Sequence, residues 1–253
     1  TIEAKFMEMP ADAARKLGLD LPSPGATSNT WTRVLTAEQM QTVLRAAGQV
    51  AGADILTDPK VTTLSGRQTQ IQAVKIKTIV NGVKPEALTS PGAQSTNGVP
   101  AQPYVTGQIP VGPTLDIIAY VAADGCTIHL SAIPQVTEFL RYDTTIETTA
   151  KRRVWVDGEE REAVVPLPIF RTRKMATSAD VYDGQTLVLG NPMVTMVSQQ
   201  HDGQSTTNTI PEVAGKRLLV FITPTIIDPA GNPIHAHGLE PFRADKTRAQ
   251  PSK

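Results

Sequence analysis

The sequence predicts a mainly β protein with a small α+β part at its N-terminal end. Three observations carry that expectation. Asp-Gly turn signals stand at Asp124-Gly125, Asp157-Gly158 and Asp183-Gly184, each followed by a run with strand character. Apolar residues recur with period two around the first of them: Leu115, Ile117, Ala119 and Val121 before it, Ile128, Leu130 and Ala132 after it. Apolar residues make up 40% of the 253-residue chain but aromatic ones only 4%, so a core must be built mostly from Val, Ile, Leu and Ala.

The elements follow in order. Thr1–Met9 alternates Ile2, Ala4 and Phe6 with Glu3, Lys5 and Met7, a half-buried strand. Pro10 ends it and opens a short helix over "PADAARKLGL". "PSPGATSNT" is a linker. Thr36 and Gln39 form a capping-box pattern, and Met40, Val43, Leu44 and Ala47 make one apolar stripe of a helix that Gly48 and Gly52 bring to its end. Beyond Ile55 the texture is β. Ser65-Gly66 marks a turn, and Val74, Ile76, Thr78 and Val80 alternate with Lys75, Lys77 and Ile79. "NGVKPEALTSPGAQSTNGVPAQPYVTGQIPVGP" is expected to be one long loop, of a length usually tied to function or mobility. Hairpins are expected around each Asp-Gly. The Leu218–Ile222 run suits a strand buried on both faces or one facing lipid. The tail from 229 to 253 is polar and is expected to be loosely held.

Composition excludes several classes. Lys plus Arg and Asp plus Glu are 24 each, so no global basic field draws nucleic acid or anionic lipid. A single cysteine, Cys126, excludes an intramolecular disulfide and a Cys-based zinc cage, and its place in "GCTIHLSAI" reads as a small buried residue. His235 and His237 could share one side of a strand, but no third ligand stands near them in sequence, so no metal or other cofactor is expected. His201-Asp202 lacks a nucleophile in a strained elbow, and "SGRQT" lacks the Walker spacing, so no catalytic residue is expected. The chain opens inside a strand, the pattern of a mature chain or a fragment.

Four segments resemble the signature blocks of the secretin family, in the family's order: "ILTDPKVTTLSGRQTQIQ" (Ile55–Gln72), "VGPTLDIIAYVAADGCTIHLSAIPQVTEF" (Val111–Phe139), "ATSADVYDGQTLVLGN" (Ala176–Asn191) and "LLVFITPTIIDP" (Leu218–Pro229). The resemblance implies the C-terminal core of an outer-membrane ring of type II or type III secretion or of a type IV pilus system. In such a ring each subunit lends strands to a shared, double-walled β-barrel pore. It implies residues 1–33 as the end of a preceding α+β segment, 34–228 as the β core, and a polar tail beyond. It implies further a large homo-oligomer, secreted protein or pilus as cargo, inner-membrane secretion components and a pilotin as partners, and an outer-membrane location with a periplasmic N-terminal part. Asn191-Pro192 stands where the family carries a second glycine, and no Leu-Phe lip motif precedes the last strand. That departure favours an alternative, a non-conducting structural ring or assembly protein with the same fold.

Within that reading the charged hairpin Val154–Val165 is the gate candidate, with Glu159, Glu160, Arg161 and Glu162 at a constriction, and a solvent-facing hairpin as the equal alternative. The stretch Pro85–Pro110 takes a second gate hairpin's place, with a flexible loop favoured there. Lys75 and Lys77 line the lumen or a plain solvent face. Gly66, Gly112, Pro113, Asp124, Gly125, Asp183, Gly184, Gly190 and Pro224 determine the fold through turns, close backbone approach and strand ends.

Overall fold

The computed structural model describes residues 1–19, 30–84, 103–143, 150–190, 193–199, 205–211 and 216–235. Its elements are β1 (Ile2–Pro10), α1 (Ala11–Lys16), β2 (Trp31–Leu35), α2 (Ala37–Ala47), β3 (Asp54–Thr57), β4 (Lys60–Val61), β5 (Gln68–Gln72), β6 (Lys75–Val83), β7 (Tyr104–Val121), β8 (Thr127–Asp143), β9 (Ala150–Val156), β10 (Glu159–Val165), β11 (Leu167–Lys174), β12 (Thr177–Tyr182), β13 (Thr186–Gly190), β14 (Met193–Gln199), β15 (Ser205–Pro211) and β16 (Lys216–Pro224).

The strands form two main sheets. A six-stranded sheet runs β2-β13-β16-β1-β3, with β4 also on β1. An eight-stranded sheet runs β15-β14-β11-β8-β7-β5, with β12 also on β8 and β6 also on β7. The β9–β10 hairpin stands apart as a two-stranded sheet. Each main sheet therefore ends in separate edge strands and is not closed on itself. This corrects the expected double-walled barrel: the mainly β composition is present, but the path of neither sheet returns to its first strand.

The six-stranded sheet is the middle of three layers. β16 lies between β1 and β13, and Leu218 to Ile222 are all fully buried. Leu218, Val220 and Ile222 face the eight-stranded sheet, where they meet Leu115, Ile117, Leu130 and Ala132. Leu219 and Phe221 face the helices and join Met40, Val43 and Ala47. Protein thus covers both faces of this run. At about 1.5–3 kcal/mol for each fully buried large apolar side chain, the run is a major source of folding energy. β1 pairs with β16 over its whole length, from Ile2 opposite Pro224 to Pro10 opposite Lys216. Its Ile2, Ala4 and Phe6 go to one core and its Met7 and Met9 to the other. α2 starts as its sequence predicts. The Gln39 N–H donates to Thr36 Oγ1 at 3.3 Å, the Thr36 N–H donates to Gln39 Oε1 at 3.0 Å, and Gly48 is the C-cap.

Two expectations about connections are corrected. Asp183-Gly184 does not close a hairpin: β12 pairs with β8 in one sheet, whereas β13 pairs with β16 and β2 in the other. The turn carries the chain between layers because the pattern of Leu187–Leu189 is that of a strand buried on both faces, which the outer sheet cannot provide. The long Pro-rich loop is shorter than expected, since β6 runs to Val83 and β7 begins at Tyr104. Residues 85–102, the first and larger part of the second gate candidate Pro85–Pro110, lie outside the described residues. Pro110 is tolerated inside β7 because residues 104–111 pair with β6 alone, so one flank of that segment needs no N–H donors.

Gly112 marks where β7 changes partner, from β6 before it to β5 after it. Its φ of +133° is open to glycine, and a Cβ there would lie 2.6 Å from the Ala73 carbonyl oxygen. Gly125 has a φ of +72°, but its Cβ would meet nothing within 4 Å. Gly125→Ala should therefore cost roughly 1–2 kcal/mol, the penalty for a left-handed residue. Gly112→Ala should cost clearly more, since it adds a backbone collision to the strain. Urea denaturation of both variants measures the difference, and equal losses would remove the steric role given to Gly112.

Candidate functional site

The sequence-predicted gate residues lie on β10. Asp157 (φ 54°) and Gly158 (φ +81°) both take positive φ, so this hairpin alone closes with the two-residue turn that Asp-Gly favours. Val154, Val156 and Ala163 turn inward onto Val83 and Tyr104, while Glu159, Glu160, Arg161 and Glu162 are exposed. Their charges are paired within the hairpin: Glu162 with Lys151 at 3.0 Å, Glu160 with Arg153 at 3.7 Å and Glu159 with Arg161 at 2.9 Å. Exposed pairs of this kind add little stability. Lys75 is exposed on β6, and the Lys77 ammonium sits 4.1 Å from the centre of the Phe139 ring. The Val80 N–H donates to Tyr142 Oη at 3.0 Å, so β6 is held against the outer part of β8. The acidic hairpin packs on Val83, at the far end of the strand that carries both lysines.

The predicted fold determinants are turn and junction residues. The Gly66 N–H donates to the Ala119 carbonyl at 2.8 Å, and the Ala73 N–H donates to the Pro113 carbonyl at 2.9 Å. The Gly184 N–H donates to the Pro224 carbonyl at 3.0 Å, which fixes the interlayer turn to the end of β16. Gly190 is buried between Leu219 and Trp31 in the six-stranded ladder. Asp124 organises the β7–β8 turn. Its Oδ1 accepts the N–H groups of Cys126 at 2.9 Å and Thr127 at 2.8 Å, and its Oδ2 accepts the Thr127 hydroxyl at 2.5 Å.

A charge network that sequence reading missed joins the layers. Arg173 on β11 is 1% exposed and is bonded to Glu8 of β1 and to Glu138 of β8, the latter at 3.3 Å. Arg171 also donates to Glu138, at 2.5 Å. Alternation along "FRTRK" gave no sign that one arginine would be interior, because its acidic partner is 165 residues away in sequence.

A second constellation lies where the turns meet. After β16 the chain folds back, with an isolated bridge between Ile227 and Pro233 and the Ile234 N–H donating to the Ile226 carbonyl at 3.0 Å. Asn232 N–H and amide groups donate to Asp228, whose pKa is lowered by those bonds. This fold-back delivers His235. Its Nδ1 is 2.8 Å from Asp183 Oδ2 and its Nε2 is 3.7 Å from Cys126 Sγ. Asp183 is 6% exposed, and its Oδ1 also accepts the Ile226 N–H at 2.8 Å. The Asp183 N–H donates to the Cys126 carbonyl at 2.9 Å. Cys126, expected to be a small core residue, is half-buried instead, and His235 contacts it across 109 residues of sequence. His237 lies outside the described residues. Among the described residues no group of three or more His, Cys, Asp and Glu could hold a metal ion.

No protein-family model and no curated protein matches this chain. With the open sheets, that corrects the secretin resemblance and the pore function drawn from it, together with the outer-membrane and secretion terms that followed. The four blocks that carried the resemblance are strand-and-turn patterns, which this fold distributes over two sheets: Ile55–Gln72 alone contributes β3 and β4 to one and β5 to the other. Among the described residues no helix is long and apolar enough to cross a membrane.

The Asp124 carboxylate is held at a pKa of about 2 by the Thr127 hydroxyl first and then by the Thr127 and Cys126 N–H groups. Because the folded value is depressed, the turn's contribution to stability is complete above the ordinary carboxylate value near 3.8 and is lost as pH falls through about 2. Asp124→Asn should remove this part of the acid dependence. Carboxyl chemical shifts of the native protein titrated from pH 5 to below 2 check it, and an Asp124 midpoint near 4 would refute it.

Proposed function

We propose that the chain is a structural subunit that associates with a second copy of itself through the free edge of β15. The observation behind this reading is the makeup of that edge. β14 and β15, "MVTMVSQ" and "STTNTIP", contain no charged residue, and among the described residues β15 pairs on one side only. Soluble proteins usually guard such edges with lysines, inward charges or proline within the strand. Here the lysines stand on β6, whereas β15 carries proline only at its last position. Two β15 strands side by side and antiparallel would complete each other's ladders and close the assembly about a two-fold axis.

The outer face of the eight-stranded sheet is compatible with a role in assembly. Ile118, Tyr120, Ile133 and Tyr182 are exposed there. They share the surface with a polar row in which Tyr120 stacks on His129 and His129 bonds Asp180. A charged, cargo-conducting lumen is not part of this proposal.

Sedimentation velocity over about a hundredfold concentration range tests it, with a dimer expected. In an edge strand neighbouring residues direct their N–H groups to opposite sides, so one of Thr206→Pro and Thr207→Pro removes an outward donor. That variant should be monomeric with an unchanged circular dichroism spectrum. A wild-type chain that stays a single copy throughout would overturn the proposal.

A further inference from the structure

We propose that Cys126 is a histidine-assisted thiol that exchanges with low-molecular-weight disulfides. The geometry is a linear relay. The Asp183 carboxylate accepts from His235 Nδ1, which leaves Nε2 as the bare nitrogen facing the sulfur. The ring stands between the acid and the thiol, so the three groups are arranged to pass a proton rather than to enclose an ion. Asp183 is fixed independently of the histidine, by its bond to the Ile226 N–H and by its own N–H on the Cys126 carbonyl. The orienting carboxylate and the nucleophile are thus tied to one another through the backbone. His235 is 35% exposed and Cys126 is half-buried, so a small reagent can reach the sulfur from solvent.

The surroundings select the reaction type. Attack on a carbonyl develops an oxyanion that needs nearby donors. The backbone donors at and next to the cysteine in sequence, the N–H groups of Cys126 and Thr127, are both committed to Asp124 Oδ1. Displacement at a disulfide sulfur develops no oxyanion and needs only a deprotonated nucleophile and a proton for the departing thiolate. As the S–H proton moves to His235 Nε2, the sulfur attacks one sulfur of the disulfide R–S–S–R. The bond Cys126–S–S–R forms, the R–S–S–R bond breaks, and the departing thiolate takes the proton back from the imidazolium. The products are a mixed disulfide and one equivalent of RSH, with no net change in oxidation state. Cys126 is the sole cysteine of this chain, so no second thiol of the same chain can displace the adduct. The mixed disulfide therefore persists until an external thiol reduces it. The inference is independent of self-association through β15.

The test uses the intact chain with 5,5′-dithiobis(2-nitrobenzoate) and, separately, oxidised glutathione, following release of the aromatic thiol by absorbance and the adduct by intact mass. The native thiol should react at pH 7 faster than the same thiol in the chain unfolded in urea at that pH. His235→Ala should slow the native reaction about tenfold or more at pH 7, with the gap closing in alkaline solution where hydroxide removes the proton instead. His235→Gln, which retains a hydrogen-bonding side chain at that position but has no basic nitrogen, should lose the same rate at unchanged melting temperature. A native thiol slower than the unfolded one, or a rate and pH profile untouched by either histidine variant, would overturn the assignment.

Discussion

The double burial of β16 is the constraint on which the rest of the structure depends. A strand reading Leu218-Leu219-Val220-Phe221-Ile222 has no solvent-tolerant face, so it demands cover on both sides. The helices supply one cover and the eight-stranded sheet the other. The demand also recruits both flanking strands. β1 and β13 must be buried as well, and β1 is drawn from the opposite end of the chain. The six-stranded sheet therefore assembles from two separated stretches, residues 2–61 and residues 186–224. Its core cannot form until those parts meet.

The outer sheet answers a different requirement. β7 and β8 are paired from Val121 and Ile128 outward only as far as Gly112 and Thr137. Beyond that point each takes its own partner, β6 for β7 and β11 for β8. The inner halves serve as the lid over β16. The outer halves have no second main sheet to cover, and they pack locally instead, with Phe139 edge-on to both Tyr142 and Phe170 and Lys77 above the Phe139 ring. At the boundary Arg173 links β11 to Glu8 of β1 and so joins the two sheets where the apolar contact ends. A buried ion pair of this kind is weak support for stability, because desolvation offsets much of the attraction. It does tie one point of the eight-stranded sheet directly to one point of the six-stranded sheet. Both proposals arise from what the double burial leaves outside: the uncharged edge at β15, in the sheet to which β16 does not belong, and the turn region where Cys126 and Asp183 are brought side by side.

Local physics was legible in the sequence. The capping box at Thr36, the stripe of α2, the alternation of β7 and β8 and the continuous apolar run of β16 depend on residues a few positions apart, and each is present. What failed was inference from local pattern to global closure. An Asp-Gly turn fixes the backbone of two residues and says nothing of which sheet receives the next strand. That is why Asp157-Gly158 makes a hairpin while Asp183-Gly184 changes layer. The four resembling blocks were in the same way correct as strands and turns, yet they carried no information about whether the sheet would close.

The sequence by itself determined the β-rich class, the position of most turns and the unbroken apolar run of β16, because those follow from periodicity and short-range hydrogen bonding. That protein rather than lipid covers both faces of that run was decided by the tertiary structure. Only the tertiary structure decided which strands share a sheet, that both sheets stay open, that Arg173 is interior and that His235 reaches Cys126. Each of these rests on contacts between residues far apart in the chain, and no local preference encodes them. Free energy selects them only when the whole core is packed at once.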